Sequence, residues 1–217
     1  MFSPKDIFIL VPVKTLDSSK SRLSPYLNAS ERSELTYLML SDVLHSLASF
    51  PNVFVVTRDG AVSSLAERHG VGSLEARWNN LNLDLEDAYS KCIGFGARST
   101  LTILADLPAL SRVDVLKMIE LAVGNPAAVI APSKDNGTNA MLLRPTDLIK
   151  PHFGSKSCEE HLHLLGEAGV EAKIYESVGT KLDIDVAEDI IELVRMKESF
   201  TRVPRSLEYL EALLHSR

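Results

Sequence analysis

The chain has 217 residues, a formal net charge of −6 and 45% hydrophobic residues. That is enough for one large α/β domain, and it excludes a fibrous or disordered chain. The acidic balance argues against a face built for duplex nucleic acid, and the widely separated Cys92 and Cys158 make neither a disulfide framework nor a metal spacing.

Ile7 to Val11 is a short apolar run stopped by Pro12, which suits a strand buried on both faces of a parallel sheet. Lys14, Lys20 and Arg22 follow, with Ser18 and Ser19 among them. A buried first strand that empties into a cationic loop can present charge to a phosphate. A solvated basic loop is the bland alternative, and the loop alone does not choose.

Asn28 and Glu31 form a capping-box pattern, and Leu35, Met39, Val43 and Leu47 then recur at helical spacing until Pro51. Val53 to Thr57 reads as the second strand, Gly60 to His69 as a helix, and Gly70 to Glu75 as holding a short third strand. Trp78 to Asn82 is a polar turn, with Asn82 expected to cap a helix reaching about Phe95. Thr100 to Ala105 reads as the fourth strand, ending in Asp106-Leu107-Pro108, and Ser111 with Asp114 caps the next helix. Ala127 to Ala131 reads as the fifth strand.

This alternation predicts a Rossmann-like α/β fold: a mostly parallel twisted sheet with helices on both faces. The pattern then changes. Ser133 to Thr138 is a turn cluster, and Ala140 to Leu143 is a short strand that need not be parallel. A helix is expected from Cys158 to Ala168, a strand over Glu171 to Tyr175, and a helix from Ala187 to Met196. The whole chain reads as a single domain with a helical tail from about residue 198. The tail's Leu207, Leu210, Leu213 and Leu214 share a face that packs on the domain or on a second subunit. With no apolar run of membrane length and no signal-peptide layout, a soluble cytoplasmic protein is expected.

Several residues could carry chemistry. Asp106 directly follows a buried strand, where open α/β sheets bind ligands. A carboxylate there either holds a hard cation such as magnesium or merely starts the turn at Pro108. Asp183 and Asp185 point the same way in an extended segment. Asp183 is the better metal candidate, with Asp185 or Glu188 expected to cap the following helix. Gly137-Thr138-Asn139 offers backbone N–H groups to an anion, and Gly154 and Ser157 stand at a helix start that favours a carboxylate or phosphate. His161 and His163 lie two apart on a helix and do not share a metal. Cys92 and Cys158 read as core fillers, and Trp78 as packing or a lid.

As an ordered set, Pro12-Val13-Lys14, Lys20-Ser21-Arg22-Leu23, Leu81-Asn82, Asp106-Leu107-Pro108, Asp135-Asn136-Gly137-Thr138-Asn139-Ala140, Gly154 to Ser157 and Leu182-Asp183-Ile184-Asp185 resemble the 2-phospho-L-lactate guanylyltransferase family. These are archaeal and bacterial enzymes of deazaflavin coenzyme (F420) biosynthesis. Related nucleotidyltransferases, including the molybdopterin guanylyltransferases, often carry a glycine-rich loop after the first strand. This chain has no glycine between Ile7 and Leu23.

The resemblance implies transfer of GMP from GTP to 2-phospho-L-lactate with release of pyrophosphate. In related enzymes phosphoenolpyruvate or 3-phosphoglycerate is the acceptor. It implies that Asp106 and Asp183 hold Mg2+ with Asp185 nearby, and that Lys14, Lys20 and Arg22 meet the triphosphate. Thr138, Gly154 and Ser157 would hold the acceptor's carboxylate, and Asn82 would lie near the nucleoside. A homodimer and a monomer with a docked tail are both compatible with the pattern. Competing assignments are another acceptor, molybdopterin among them, or a nucleotide-binding protein without catalysis.

Overall fold

A computed structural model describes residues 6–16 and 20–215, so Ser18 and Ser19 lie outside the described residues. The strands are β1 (Ile7–Pro12), β2 (Val53–Thr57), β3 (Gly72–Glu75), β4 (Ser99–Ile103), β5 (Ala127–Pro132), β6 (Thr138–Arg144) and β7 (Lys173–Ile174). The helices are α1 (Ala29–Leu47), α2 (Gly60–Arg68), α3 (Leu81–Gly94), α4 (Arg112–Leu121), α5 (Ser157–Glu167), α6 (Val178–Lys181), α7 (Ala187–Arg195) and α8 (Arg205–His215).

The strands form one sheet in the order β3-β2-β1-β4-β6-β5-β7. Neighbours are parallel except around β6, which runs antiparallel to both β4 and β5. β1 is buried along its whole length because each face covers a different core. Ile7, Ile9 and Val11 pack with α1, α2 and α4, whereas Phe8 and Leu10 pack with α3 and α5. The period-two alternation of a strand thus divides one apolar run between two layers. This is the Rossmann-like arrangement the alternation predicts.

α1 begins at the expected capping box: Asn28 accepts the Glu31 N–H at 3.0 Å and Glu31 accepts the Asn28 N–H at 2.8 Å. Its Leu40, Val43, Leu44 and Leu47 face the sheet, while Leu35 and Met39 enter a third cluster with α7 and α8. The tail therefore docks on its own domain through Leu207 and Leu210. Buried Asp42 of α1 holds the start of α8, accepting the Arg205 N–H at 2.9 Å, the Ser206 N–H at 3.0 Å and the Ser206 hydroxyl at 2.8 Å. No helix among the described residues is long and apolar enough to cross a membrane.

Three local expectations need correction. Asn80, not Asn82, caps α3, with its Oδ1 accepting from the Asn82 and Leu83 N–H groups at 3.1 and 3.2 Å. The cap of α7 is Asp189, three residues inside, rather than Asp185 or Glu188. Its Oδ2 accepts from the Asp185 and Val186 N–H groups at 2.8 and 2.9 Å. The strand expected over Glu171 to Tyr175 shrinks to Lys173–Ile174, an exposed edge that pairs with β5, and the short helix α6 follows it.

Candidate active site

β1 lies between β2 and β4, so the chain leaves it in one direction and returns on the other side. Ligand crevices of open α/β sheets form at such a switch point, beyond the carboxyl ends of the strands. A cleft of about 400 Å³ lies there, within the size range of small-molecule sites. Val13, Lys14 and Thr15 line it after β1, Arg58 after β2, and Ala105 and Asp106 after β4, with Asn79, Leu81 and Asp84 closing one side.

Lys20 enters this cleft as a buried cation, its side chain only 7% exposed. Its Nζ donates to Asp106 Oδ2 at 2.6 Å and to Asp185 Oδ1 at 2.7 Å. Burial alone would lower the Lys20 pKa, but the charges and hydrogen bonds of the two carboxylates outweigh it and raise it. The residues reach one another because β4 and the 182–185 segment are stitched together. The Ile184 N–H donates to the Asp106 carbonyl at 3.2 Å, and the Leu104 N–H donates to the Asn139 carbonyl at 2.9 Å.

Asp183 feels the charges of both Asp106 and Asp185. Asn139 donates to Asp183 Oδ1 at 3.1 Å and to the Thr180 carbonyl at 3.0 Å, fixing the carboxylate. Burial pushes the Asp183 carboxyl above the usual range; the Asn139 hydrogen bond opposes this and the charges of Asp106 and Asp185 add to it. Asp106 and Asp185 thus flank Lys20, and both lie close enough to Asp183 for their charges to act on it, but the three are not closed around an ion. Among the described residues no group of three or more Asp, Glu, His or Cys side chains forms a ready metal cage. The ammonium of Lys20 bridges two of the three. One atom is left over: Asp106 Oδ1 is buried and has no hydrogen-bond partner among the described residues. A buried oxygen of that kind fits a hard divalent ion, which takes carboxylate and water ligands.

A second group of expected residues lies at the same edge. Because β6 is antiparallel, its first residues meet the end of β4, with Ala140 opposite Ile103. This places Thr138 and Asn139 beside Asp106. The Ser133–Gly137 turn is held by Asp135, which accepts from Ser133 Oγ at 2.6 Å, while Gly137 donates to the same hydroxyl at 2.8 Å. The Cys158 N–H donates to the Asn136 carbonyl at 3.0 Å, which brings the start of α5 against that turn. Ser157 is buried there and its Oγ has no hydrogen-bond partner among the described residues. Gly154 has φ +149, which a side chain would strain.

Other expected residues fall differently. Arg22 is exposed, is not among the residues lining the cleft, and exerts its charge on Asp135. The Asn82 amide is engaged structurally, accepting the Phe153 N–H at 2.7 Å and donating to the Phe153 carbonyl at 3.0 Å. It ties α3 to the loop before α5. Trp78 is 61% exposed rather than packed. Cys92 and Cys158 are buried, and burial raises both thiols, Cys92 to about 12, which suits core filling and not nucleophilic attack. His163 is exposed and near Glu167, apart from the buried His161.

Two functional features were not read from the sequence. Arg58 joins the cleft because Val56 and Thr57 end β2 beside β1. Backbone strain is also concentrated at this edge. Among the described residues the non-glycine positions with positive φ are Lys20, Asn79, Asn136 and Lys156, all in loops around the cleft and the α5 start. Each costs on the order of 1 kcal/mol, and such strain persists where the surroundings impose it, often at sites.

A switch-point crevice rimmed by Lys14 and Arg58, with acidic residues from two later segments at its floor, is the layout of a nucleotidyltransferase. Solved structures carry the same fold. One, a putative nucleotide-diphospho-sugar transferase from Desulfovibrio desulfuricans G20, superposes with a TM-score of 0.82 at 17% identity, covering 97% of both chains. A nucleotidyl transferase from Methanothermobacter thermautotrophicus superposes at 0.60 with 14% identity over 97% of this chain and 99% of that one.

The sequence narrows the class. Residues 7–214 match the family described as "Guanylyl transferase CofC like". The phosphoenolpyruvate guanylyltransferase of Thermobaculum terrenum is 34% identical over 90% of this chain and 86% of its own. The 2-phospho-L-lactate guanylyltransferase of Methanothermobacter thermautotrophicus is 34% identical over 94% of this chain and 89% of its own. The chain belongs to the CofC-like guanylyltransferase family, and it is a nucleotidyltransferase.

Proposed function

We propose that this enzyme transfers GMP from GTP to 2-phospho-L-lactate, giving lactyl-2-diphospho-5'-guanosine and pyrophosphate, as in F420 biosynthesis. The observation that supports the reading best is the Lys20–Asp106–Asp185 triad, with Asp106 Oδ1 buried and unpartnered at the switch point. Phosphoenolpyruvate is the second acceptor to consider, because similarly close relatives carry that name.

The second pKa of a phosphate monoester is about 6, so the acceptor is mostly a dianion at neutral pH and needs no general base. One of its oxygens forms a bond to the α-phosphorus of GTP. The bond from that phosphorus to the bridging oxygen breaks, and pyrophosphate leaves with the electron pair. The obstacle is bringing two anions together and stabilising the leaving group. Lys14 and Arg58 rim the cleft and would neutralise the triphosphate, with Lys20 holding Asp106 and Asp185 in register. Asp106, Asp183 and Asp185 would hold Mg2+, which when bound supplies charge neutralisation and in-line positioning of the phosphates. Asn139 keeps Asp183 turned toward that position. Thr138, Gly154 and Ser157 would receive the acceptor's carboxylate at the start of α5.

The test is pyrophosphate release with GTP and MgCl2 against 2-phospho-L-lactate, phosphoenolpyruvate and 3-phosphoglycerate. Activity with 2-phospho-L-lactate is expected, and Asp106→Asn should lower it by at least ~100-fold. Absence of pyrophosphate with every acid, or a fully active Asp106→Asn, refutes the reading.

A further inference from the structure

His161 lies one helical turn after Ser157 on α5 and is wholly buried. Its Nε2 faces the backbone N–H of His152 at 3.0 Å, and its Nδ1 is 2.9 Å from Thr138 Oγ1. A backbone N–H can only donate, so Nε2 must accept and carries no proton. Burial holds the imidazole pKa at about 4, with the neighbouring His152 adding to the fall, so the ring is neutral at pH 7. A neutral imidazole has one N–H, and here it can only be on Nδ1.

The consequence falls on Thr138. Its Oγ accepts from His161 Nδ1–H, so the hydroxyl proton must point elsewhere. Thr138 Oγ1 has no second hydrogen-bond partner among the described residues. Ser157 is in the same condition, its buried Oγ unpartnered at the first turn of α5. Two hydroxyls with protons to give, next to a helix N-terminus, select an anionic oxygen over a neutral donor. The imidazole cannot swing away: the Phe153 ring meets it edge-on at 5.1 Å and 70°, and Asn82 clamps the Phe153 backbone.

We propose that His161 is a positioning residue of the acceptor subsite: its Nδ1–H makes the Thr138 hydroxyl an obligate donor toward the incoming carboxylate. This rests on the proposed guanylyl transfer to a phosphorylated acid, so the wild-type enzyme is assayed first with GTP, MgCl2 and each of 2-phospho-L-lactate and phosphoenolpyruvate. If neither acid releases pyrophosphate, the functional reading itself fails, whatever His161 does.

With an active acid in hand, three variants test the positioning role. His161→Gln retains an acceptor near the Nε2 position and removes the Nδ1 donor; it should raise the KM for the acid about tenfold and leave that for GTP within about twofold. His161→Asn, whose amide N–H falls near the Nδ1 position, should recover the KM for the acid to within about threefold of wild type. Thr138→Val should match the loss in His161→Gln, and the double variant should be no worse than Thr138→Val alone. Additive losses, or an equal rise in the KM for GTP, would overturn the proposal. If the His161 variants do not fold, a long-range 1H–15N spectrum of the wild-type protein decides. The ring must be the neutral Nδ1–H tautomer at pH 7, and an Nε2–H tautomer or an imidazolium overturns it.

Discussion

Replacing Lys20 by methionine keeps the length of the side chain and removes its charge. In the folded protein the Lys20 side chain is 7% exposed, against 25% for Asp106 and 43% for Asp185. Breaking a fully buried ion pair costs about 3–5 kcal/mol, and breaking an exposed one about 0–1. Here one partner is buried and two are partly hydrated, which puts the loss at about 2–3 kcal/mol. For a chain of this size that is a fall in Tm of about 5–10 °C. The variant leaves Asp106, Asp183 and Asp185 facing one another without a counter-charge, so added MgCl2 should raise its Tm more than that of wild type. Turnover should fall by at least ~100-fold, since the carboxylates lose their register at the phosphates. Thermal denaturation by circular dichroism, with EDTA or MgCl2, reads the first two effects, and pyrophosphate release reads the third. A Lys20→Met protein with wild-type Tm, no extra response to MgCl2 and unchanged turnover would refute the idea that this ammonium organises the acidic residues.

The remaining predictions concern the supports around the site. The His161 pKa falls from 6.5 in the unfolded chain to about 4 in the folded one, so the unfolded state takes up the proton first; stability is complete above pH 6.5 and falls by about 3 kcal/mol as pH drops toward 4. Urea midpoints across that window should flatten in His161→Asn, and parallel curves would show that another group titrates. Asp42→Ala strips the acceptor from two backbone N–H groups and a hydroxyl at the start of α8, at about 2–4 kcal/mol. Hydrogen exchange should then quicken in residues 205–215 before it does in β1, and uniform exchange would mean the tail is held by its leucines alone. Asn82→Ala removes both hydrogen bonds to Phe153 and should cost about 1–3 kcal/mol while raising the KM for the acid; a selective rise in the KM for GTP would return Asn82 to the nucleoside.

The central strands and most helices were legible because their signals are local. The β1 run, the Val53–Thr57 strand and the Asn28 and Ser111 capping boxes each need only a few adjacent residues, and all are found in the structure. Caps fixed by competing neighbours were not legible in the same way. Asn80 and Asn82 have the same side chain two positions apart, and Asp185, Glu188 and Asp189 all carry carboxylates at the start of one helix. Which one bonds depends on backbone dihedrals that composition does not reveal. The two-residue β7 was over-extended because an edge strand with both residues exposed carries no alternation to mark its ends.

By itself the sequence determined the layered α/β class, since apolar runs with helical and strand periods dictate which faces must be buried. It also determined the residue types on hand for phosphate chemistry, and its ordered motifs pointed to the guanylyltransferase family. Only the tertiary structure decided how those residues are used. Lys20 and Asp106 are 86 positions apart and Lys20 and Asp185 are 165 apart, so their pairing exists only once β1, β4 and the 182–185 segment share an edge. The same folding tied Asn82 to Phe153, left Arg22 exposed outside the cleft lining, and brought His161 onto Thr138. Contacts between residues distant in the chain follow from strand order and packing, which no local pattern encodes.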